Sequence, residues 1–276
     1  MKPPTAPNLA AAPDPNVRAK LLRVHDALCR EYRCPIAYFA GLDPLSELIS
    51  SLLSHRTKNA DSARAFRTLR ARFPTWEAVR DAPLDEVQEA VSTATWPEQK
   101  APRVQAVLRL LTARQKDDAP LSLDFLADMP VTDARAFLET LPGVGPKTSA
   151  ATLSFSELRG RALPVDSHHH RVAARLGLIP AVVDVGPAHA LLEGMLPAEW
   201  DAQAVYDHHE VLMLHGQRVC TFRAPACARC VVRVECDYYR ARHGTAEGSE
   251  VGSAVGEAMG DGDAVAAEPT TAESPV

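Results

Sequence analysis

The chain has 276 residues, 46% hydrophobic, 24% charged and 5% aromatic, enough apolar material for one large core or two small ones. No run of about 18 apolar residues appears, which excludes a membrane-spanning helix, and the opening MKPPTAPNLAAAPDPN lacks the basic start and apolar stretch of a secretory leader. The net charge of −5 argues against a uniformly basic nucleic-acid binder, but seven acids and one arginine lie in 241–276, which leaves +1 for residues 1–240, so an anionic partner must be recognised by local charge.

Taken in chain order, residues 1–16, rich in Pro and Ala, read as a disordered tail. Apolar residues then recur at helical spacing in PNVRAKLLRVHDALCREY, LSELISSLLSHR, ADSARAFRTLRARF, LDEVQEAVSTA, APRVQAVLRLLTARQ, VTDARAFLETL and GPAHALLEGML. Start signals stand at Asp43-Pro44, at Thr75 before Trp76 and at Thr132-Asp133. No convincing run alternates as a strand, so the expected class is all-α. Residues 244–276, made of Ala, Gly, Ser and acids, read as a second disordered tail, here acidic.

Four stretches carry chemistry. In Leu141-Pro142-Gly143-Val144-Gly145-Pro146-Lys147-Thr148 two glycines allow a sharp turn and close approach of the backbone to a ligand. Pro146 suits the first position of the next helix, whose free N–H groups can hold a phosphate oxygen. An ordinary helix–helix turn is the plainer reading. Val165-Asp166-Ser167-His168-His169-His170-Arg171-Val172 follows, with Asp166 nineteen residues after Lys147. Three adjacent histidines on a helix face different ways and cannot share one ion. His208-His209-Glu210 lacks the second histidine of a zinc-protease helix. Finally, Cys220, Cys227, Cys230 and Cys236 crowd into seventeen residues. Four thiolates in one loop can hold a four-iron cube; structural zinc is the competing reading, although only Cys227 and Cys230 form a short knuckle. Cys29 and Cys34 are taken as core or surface residues without chemistry.

With these motifs in view, the chain resembles the endonuclease III family of DNA glycosylases over roughly residues 17–240. LPGVGPKTS resembles that family's helix-hairpin-helix, VDSHHHRV its V-D-[ST]-H-x-x-R-V segment, and the cysteine spacing its 4Fe–4S loop without a gap. The resemblance implies a helix-hairpin-helix DNA glycosylase fold: a six-helix barrel over 38–160, with the hairpin at about 133–155, and an iron–sulfur cluster domain built from 17–37 and 161–243. It implies Lys147 as nucleophile, Asp166 as its catalytic partner and Cys220, Cys227, Cys230 and Cys236 as ligands of a 4Fe–4S cluster. DNA contacts fall on Leu141, Gly143, Val144 and Gly145 of the hairpin, and on His168 and Arg171. Arg56 stands where the family usually has a wedging Gln, and Trp96 where an apolar wedge enters the duplex.

The implied activity is base-excision repair: a bifunctional glycosylase and abasic-site lyase acting on oxidised pyrimidines. Its partner would be double-stranded DNA with damaged bases or abasic sites, bound by a monomer in the cytoplasm, associated with the nucleoid. Residues Ile49–Ser54 hold no glutamate, which argues against excision of mismatched adenine, a relative's activity. Arg56, Trp96 and Pro146 depart from the family pattern and keep open a DNA-binding protein of the same fold with weak or lost activity. Only six lysines exist, Lys2, Lys20, Lys58, Lys100, Lys116 and Lys147, so few amines compete for the nucleophile's role.

Overall fold

The computed structural model describes residues 14–38, 41–115 and 119–244. Most of the two expected tails, residues 1–13 and 245–276, lies outside them. Among the described residues there are twelve α-helices, three short 3-10 turns and no strand. The helices are α1 (Pro15–Tyr32), α2 (Pro44–Ser54), α3 (Asn59–Arg72), α4 (Trp76–Asp81), α5 (Leu84–Ala90), α6 (Pro97–Arg114), α7 (Val131–Glu139), α8 (Pro146–Phe155), α9 (Ser167–Leu176), α10 (Val185–Met195), α11 (Ala202–Arg218) and α12 (Asp237–His243).

Side-chain caps explain most starts. Asp14 accepts from the Asn16 N–H, Asp43 from Ser46, Thr75 from Ala78 and Asp201 from Ala204, each satisfying a donor the helix cannot reach. Prolines follow Asp14 and Asp43, with φ already set for a helix. Residues 15 and 16 therefore belong to α1 and not to a tail. Helix α7 departs from expectation: it begins at Val131, before Thr132-Asp133, with Pro130 at the cap and no side-chain cap bond. Helix α6 begins at Pro97, a turn ahead of the apolar run read from Ala101.

Two hydrophobic cores result. The first gathers α2 to α8, with Leu45, Leu48, Ile49, Leu53, Leu69, Leu108 and Leu138 fully buried. The second joins Leu21, Val24 and Leu28 of α1 to Val172 and Leu176 of α9, Leu192 of α10, and Val211 and Leu212 of α11. Removing one such leucine from water stabilises by about 1.5–3 kcal/mol. The segments flanking the first core in sequence thus pack on each other, and α8 and α9 lead from one core to the other.

The second core also buries His169, His208 and His209, with the His169 ring 5.5 Å from His208 and 5.6 Å from His209. Burial holds all three below the ordinary histidine range, and His189 at about 4. A histidine whose folded pKa is depressed takes up protons more readily when unfolded, so it lowers stability as pH falls below about 6.5. Two buried carboxyls, Glu47 and Glu210, are pushed up to about 7 by burial and act in the opposite sense: their contribution is present at low pH and is lost as pH rises through about 7. Four histidines outweigh two glutamates. Stability is expected to fall by at least about 2 kcal/mol between about pH 6.5 and pH 5, read as the shift in urea midpoint. A flat profile would show that the histidines protonate within the fold.

Candidate active site and cysteine centre

The turn between α7 and α8 closes through the Val144 N–H donating to the Leu141 carbonyl at 3.1 Å. Gly143 sits at φ 78 with the Arg103 side chain packed on it, where a β-carbon would clash; this left-handed position is costly for other residues. Gly145 caps α8 in extended geometry, with nothing within 4 Å of where a β-carbon would lie, so the approach to the helix start is open. Among the described residues no acceptor takes the N–H of Gly143 or Gly145, which leaves them for an anion. Leu141 and Val144 do not reach outward. Both side chains are buried in the first core, and the Val144 N–H is engaged within the turn, so neither residue offers the contact expected of it.

Lys147 is the second residue of α8 and points into a cavity of about 650 Å3 that Asp166, His168, Arg56, Trp96 and His55 also line. Burial lowers the Lys147 pKa, while the charges of Asp166 and Glu47 pull it back up. The helix start adds partial positive charge that also disfavours the ammonium. Asp166 caps α9, one carboxylate oxygen accepting from the His169 N–H at 2.7 Å. The cap fixes the carboxyl beside the cavity, and no ion pair ties it to Lys147. Arg56 and Trp96 flank the cavity with left-handed backbones, φ 52 and φ 55, and Trp96 is 45% exposed. Bulky residues in that region store strain of about 1–3 kcal/mol each, and two of them stand at one mouth.

Sequence reasoning missed two residues here. Lys100 is buried, donating to the carbonyls of Leu53 and His55 and to the Thr57 hydroxyl at 2.6–2.9 Å. It closes the carbonyl end of α2, which no motif announced. Its three acceptors hold it as scaffold: Lys100→Met is expected to cost about 3 kcal/mol by stranding these carbonyls, checked by urea unfolding. A cost below about 0.5 kcal/mol would mean that water replaces the ammonium. His55 shares a 2.9 Å hydrogen bond with the Thr148 hydroxyl, next to the nucleophile, and burial with the charges of Lys147, Lys100 and Arg103 pushes it down to about 4.

Arg171 requires a correction. Its guanidinium donates to the Cys220 carbonyl at 3.0 Å and the Gly216 carbonyl at 2.8 Å, and lies 3.0 Å from the His168 Nδ1. These bonds tie α9 to the end of α11 and to the cysteine loop, so it positions Asp166 and His168 and is not free for DNA. Gly216 allows that crossing, since a β-carbon would meet the His168 Cβ at 2.9 Å.

Cys220, Cys227, Cys230 and Cys236 line one small cavity, with no disulfide among them. The Arg175 guanidinium donates to the Cys220 Sγ at 3.2 Å, and the His215 Nε2 lies 3.3 Å from the Cys230 Sγ. Burial pushes the Cys230 thiol up to about 11, with the three neighbouring cysteines adding to the rise. Arg229 and Arg233 bond to local carbonyls. Cys29 and Cys34 are not inert: the structure joins them in a disulfide. Arg33 turns the chain at φ 63 after α1, and the Cys34 N–H donates back to the Cys29 carbonyl, bringing the thiols together.

A phosphate-ready hairpin, a buried amine and a capping carboxylate beside one cavity define the helix-hairpin-helix class of DNA-repair proteins. Comparison with known proteins settles the family. Residues 49–195 match the HhH-GPD superfamily of base excision DNA repair proteins, and the chain belongs to it. A protein of Arabidopsis thaliana provisionally named a DNA glycosylase is 30% identical over 177 residues, 64% of this chain and 57% of that one. Endonuclease III of Thermotoga maritima is 28% identical over 201 residues, 72% of this chain and 85% of that one. The fold also matches a solved structure of a trapped endonuclease III–DNA covalent intermediate, with TM-score 0.68 and 21% identity, covering 82% of this chain and 98% of that one.

Proposed function

We propose that the chain is a bifunctional enzyme that removes damaged bases, oxidised pyrimidines foremost, from double-stranded DNA and cleaves the abasic sites it makes. The observation that carries this reading is Lys147 at the start of α8, partly desolvated, sharing a cavity with the carboxylate of Asp166. The cavity also gathers Arg56, Lys100 and Arg103, a local positive field that suits a phosphodiester in a chain without overall basic charge.

The target nucleotide must leave the base stack to reach the amine. Neutral Lys147 Nζ attacks C1′, the glycosidic bond breaks with its electron pair going to the base, and the base takes up a proton. Asp166, held by its cap bond, accepts the amine's proton and stabilises the positive sugar. The nitrogen lone pair then expels the ring oxygen O4′, which takes up a proton, and a protonated Schiff base remains between Nζ and C1′. That iminium acidifies C2′; removing a proton there expels the 3′ phosphate by β-elimination. Arg56 and Trp96, on strained backbone at the mouth, fill the gap left in the duplex.

The four-cysteine loop fits an iron–sulfur cube better than one zinc ion. A tetrahedral zinc with bonds of about 2.3 Å places its sulfurs about 3.8 Å apart, whereas among the described residues no three of these sulfurs come within 4.8 Å of one another. Cys220, Cys227, Cys230 and Cys236 would hold the cluster, with Arg175 and His215 beside the Cys220 and Cys230 sulfurs, and it would fix the loop in place. We assign the two cores to a barrel domain and a cluster domain, and the working form to a monomer at the nucleoid.

A duplex with one abasic site and a duplex with one oxidised pyrimidine test the activity. Release of the base and a β-elimination nick support it. Intact strands from folded protein that binds both duplexes would reduce the chain to a DNA-binding relative.

A further inference from the structure

The two ring nitrogens of His55 meet different surroundings at the wall of the Lys147 cavity. His55 follows α2 and lines that cavity together with Lys147 and Asp166. Its Nε2 lies 2.9 Å from the hydroxyl of Thr148, the residue after the nucleophile. Thr148 is 2% exposed, and among the described residues its hydroxyl has no other partner. A buried O–H must give its proton to an acceptor, so Nε2 accepts. A neutral imidazole that accepts at Nε2 carries its proton on Nδ1, and burial with the nearby cations keeps this ring neutral. Nδ1 has no partner among the described residues and is not sealed from solvent, so its N–H opens on the cavity. The backbone is held as well: the His55 carbonyl accepts from the Lys100 ammonium at 2.9 Å and from the Thr57 hydroxyl at 3.3 Å. The Nδ1–H donor is thus fixed before a substrate arrives, the condition under which a donor contributes most to a transition state.

We propose, building on the activity proposed for Lys147 and Asp166, that His55 is a further catalytic residue, which donates Nδ1–H to the carbonyl oxygen beside the glycosidic nitrogen of the departing base. When the bond to C1′ breaks, its electron pair passes to that ring nitrogen, and a carbonyl on the adjacent carbon shares the charge. In a pyrimidine this oxygen is O2, next to N1. The hydrogen bond strengthens as the oxygen gains charge. Nδ1 keeps its proton throughout, and the freed base takes one from water, releasing hydroxide.

The chemistry sets a substrate class. Every 2-oxopyrimidine offers the oxygen, whatever the damage at its C5–C6 edge, and a purine offers one only when oxidised at C8. The role also splits the two steps of the reaction. An abasic sugar has no base to receive the bond, so His55 acts on base release and not on β-elimination.

The test assays the full chain on a duplex with one dihydrouracil and on a duplex with one abasic site, as single-turnover rates of base release and of strand cleavage. Two substitutions separate the ring nitrogens. Asn carries an amide N–H near the place of Nδ1 but does not reach Thr148, whereas Gln reaches Thr148 and lacks that donor. His55→Gln is expected to slow base release about a hundredfold more than abasic-site cleavage, and His55→Asn to recover at least about tenfold of that loss. Equal losses on both duplexes in His55→Gln would make His55 a structural residue and overturn the proposal, as would undiminished base release. A second readout needs no activity. Nitrogen NMR of histidine-labelled wild-type protein at neutral pH, with His55 identified by the signal missing from either variant, should show a neutral ring with its proton on Nδ1. A proton on Nε2 would overturn the donor even in an active enzyme. Wild-type protein that cleaves neither duplex would instead overturn the activity proposed for Lys147 and Asp166, and the role of His55 with it.

Discussion

Lys147→Gln is expected to lower cleavage of an abasic duplex at least about a thousandfold, because the substitution removes the attacking atom. Glutamine keeps a similar length and a good helix propensity, and the α8 start, its Pro146 and the Gly143 turn do not depend on the ammonium. Binding to uncleavable duplex should therefore change less than about fivefold, since a neutral amine forms no ion pair with phosphate. Among the described residues no other lysine is placed to substitute. Lys100 is held by three acceptors, Lys20 pairs with Asp237 and the Leu176 carbonyl in the other core, and Lys58 is exposed at the cap of α3. Asp166→Asn keeps a residue able to cap α9 and should slow the reaction by about a hundredfold without abolishing it, as expected for loss of a proton acceptor. Full activity in Lys147→Gln would remove the amine from the mechanism.

The second large effect concerns the loop after α11. Protein isolated without oxygen should be yellow-brown, absorb near about 400 nm and carry about four irons. Cys227→Ala should lose that colour and lower the stability of the second core by several kcal/mol, since binding at such loops contributes folding free energy. The core reaches the loop through Val232 and Cys236, both buried with α9 and α11, and through Arg171 and Arg175, which donate to the Cys220 carbonyl. Loss of the cluster should release those arginines and with them the placement of Asp166. Colourless, folded wild-type protein holding one zinc would contradict the assignment.

Much of this was legible in the sequence because it rests on local rules. Helical periodicity and caps such as Asp43 and Thr75 act within a few residues, and the helices they announce form where read. The glycine turn, Lys147, Asp166 and the cysteine spacing carry their chemistry in residue type and order. The errors fall where three-dimensional packing decides. A motif shows that Leu141 and Val144 matter but not that they face the core. Arg171 resembles a DNA contact by position, yet the approach of α11 at Gly216 gives it carbonyls to bind first. Lys100 stands forty-seven residues from the Leu53 carbonyl it satisfies, and no pattern in one chain marks such a pair. Cys29 and Cys34 looked isolated because their spacing does not announce the left-handed turn at Arg33 that brings their sulfurs together in a disulfide.

Covalent trapping tests the central claim most directly. Borohydride reduction of the protein on an abasic duplex should freeze the Schiff base as a stable protein–DNA adduct, and peptide mapping should place it on Lys147, with Lys147→Gln giving no adduct. An adduct on Lys58, Lys100 or the terminal amine, or undiminished trapping in Lys147→Gln, would contradict the account of the site while leaving the fold intact.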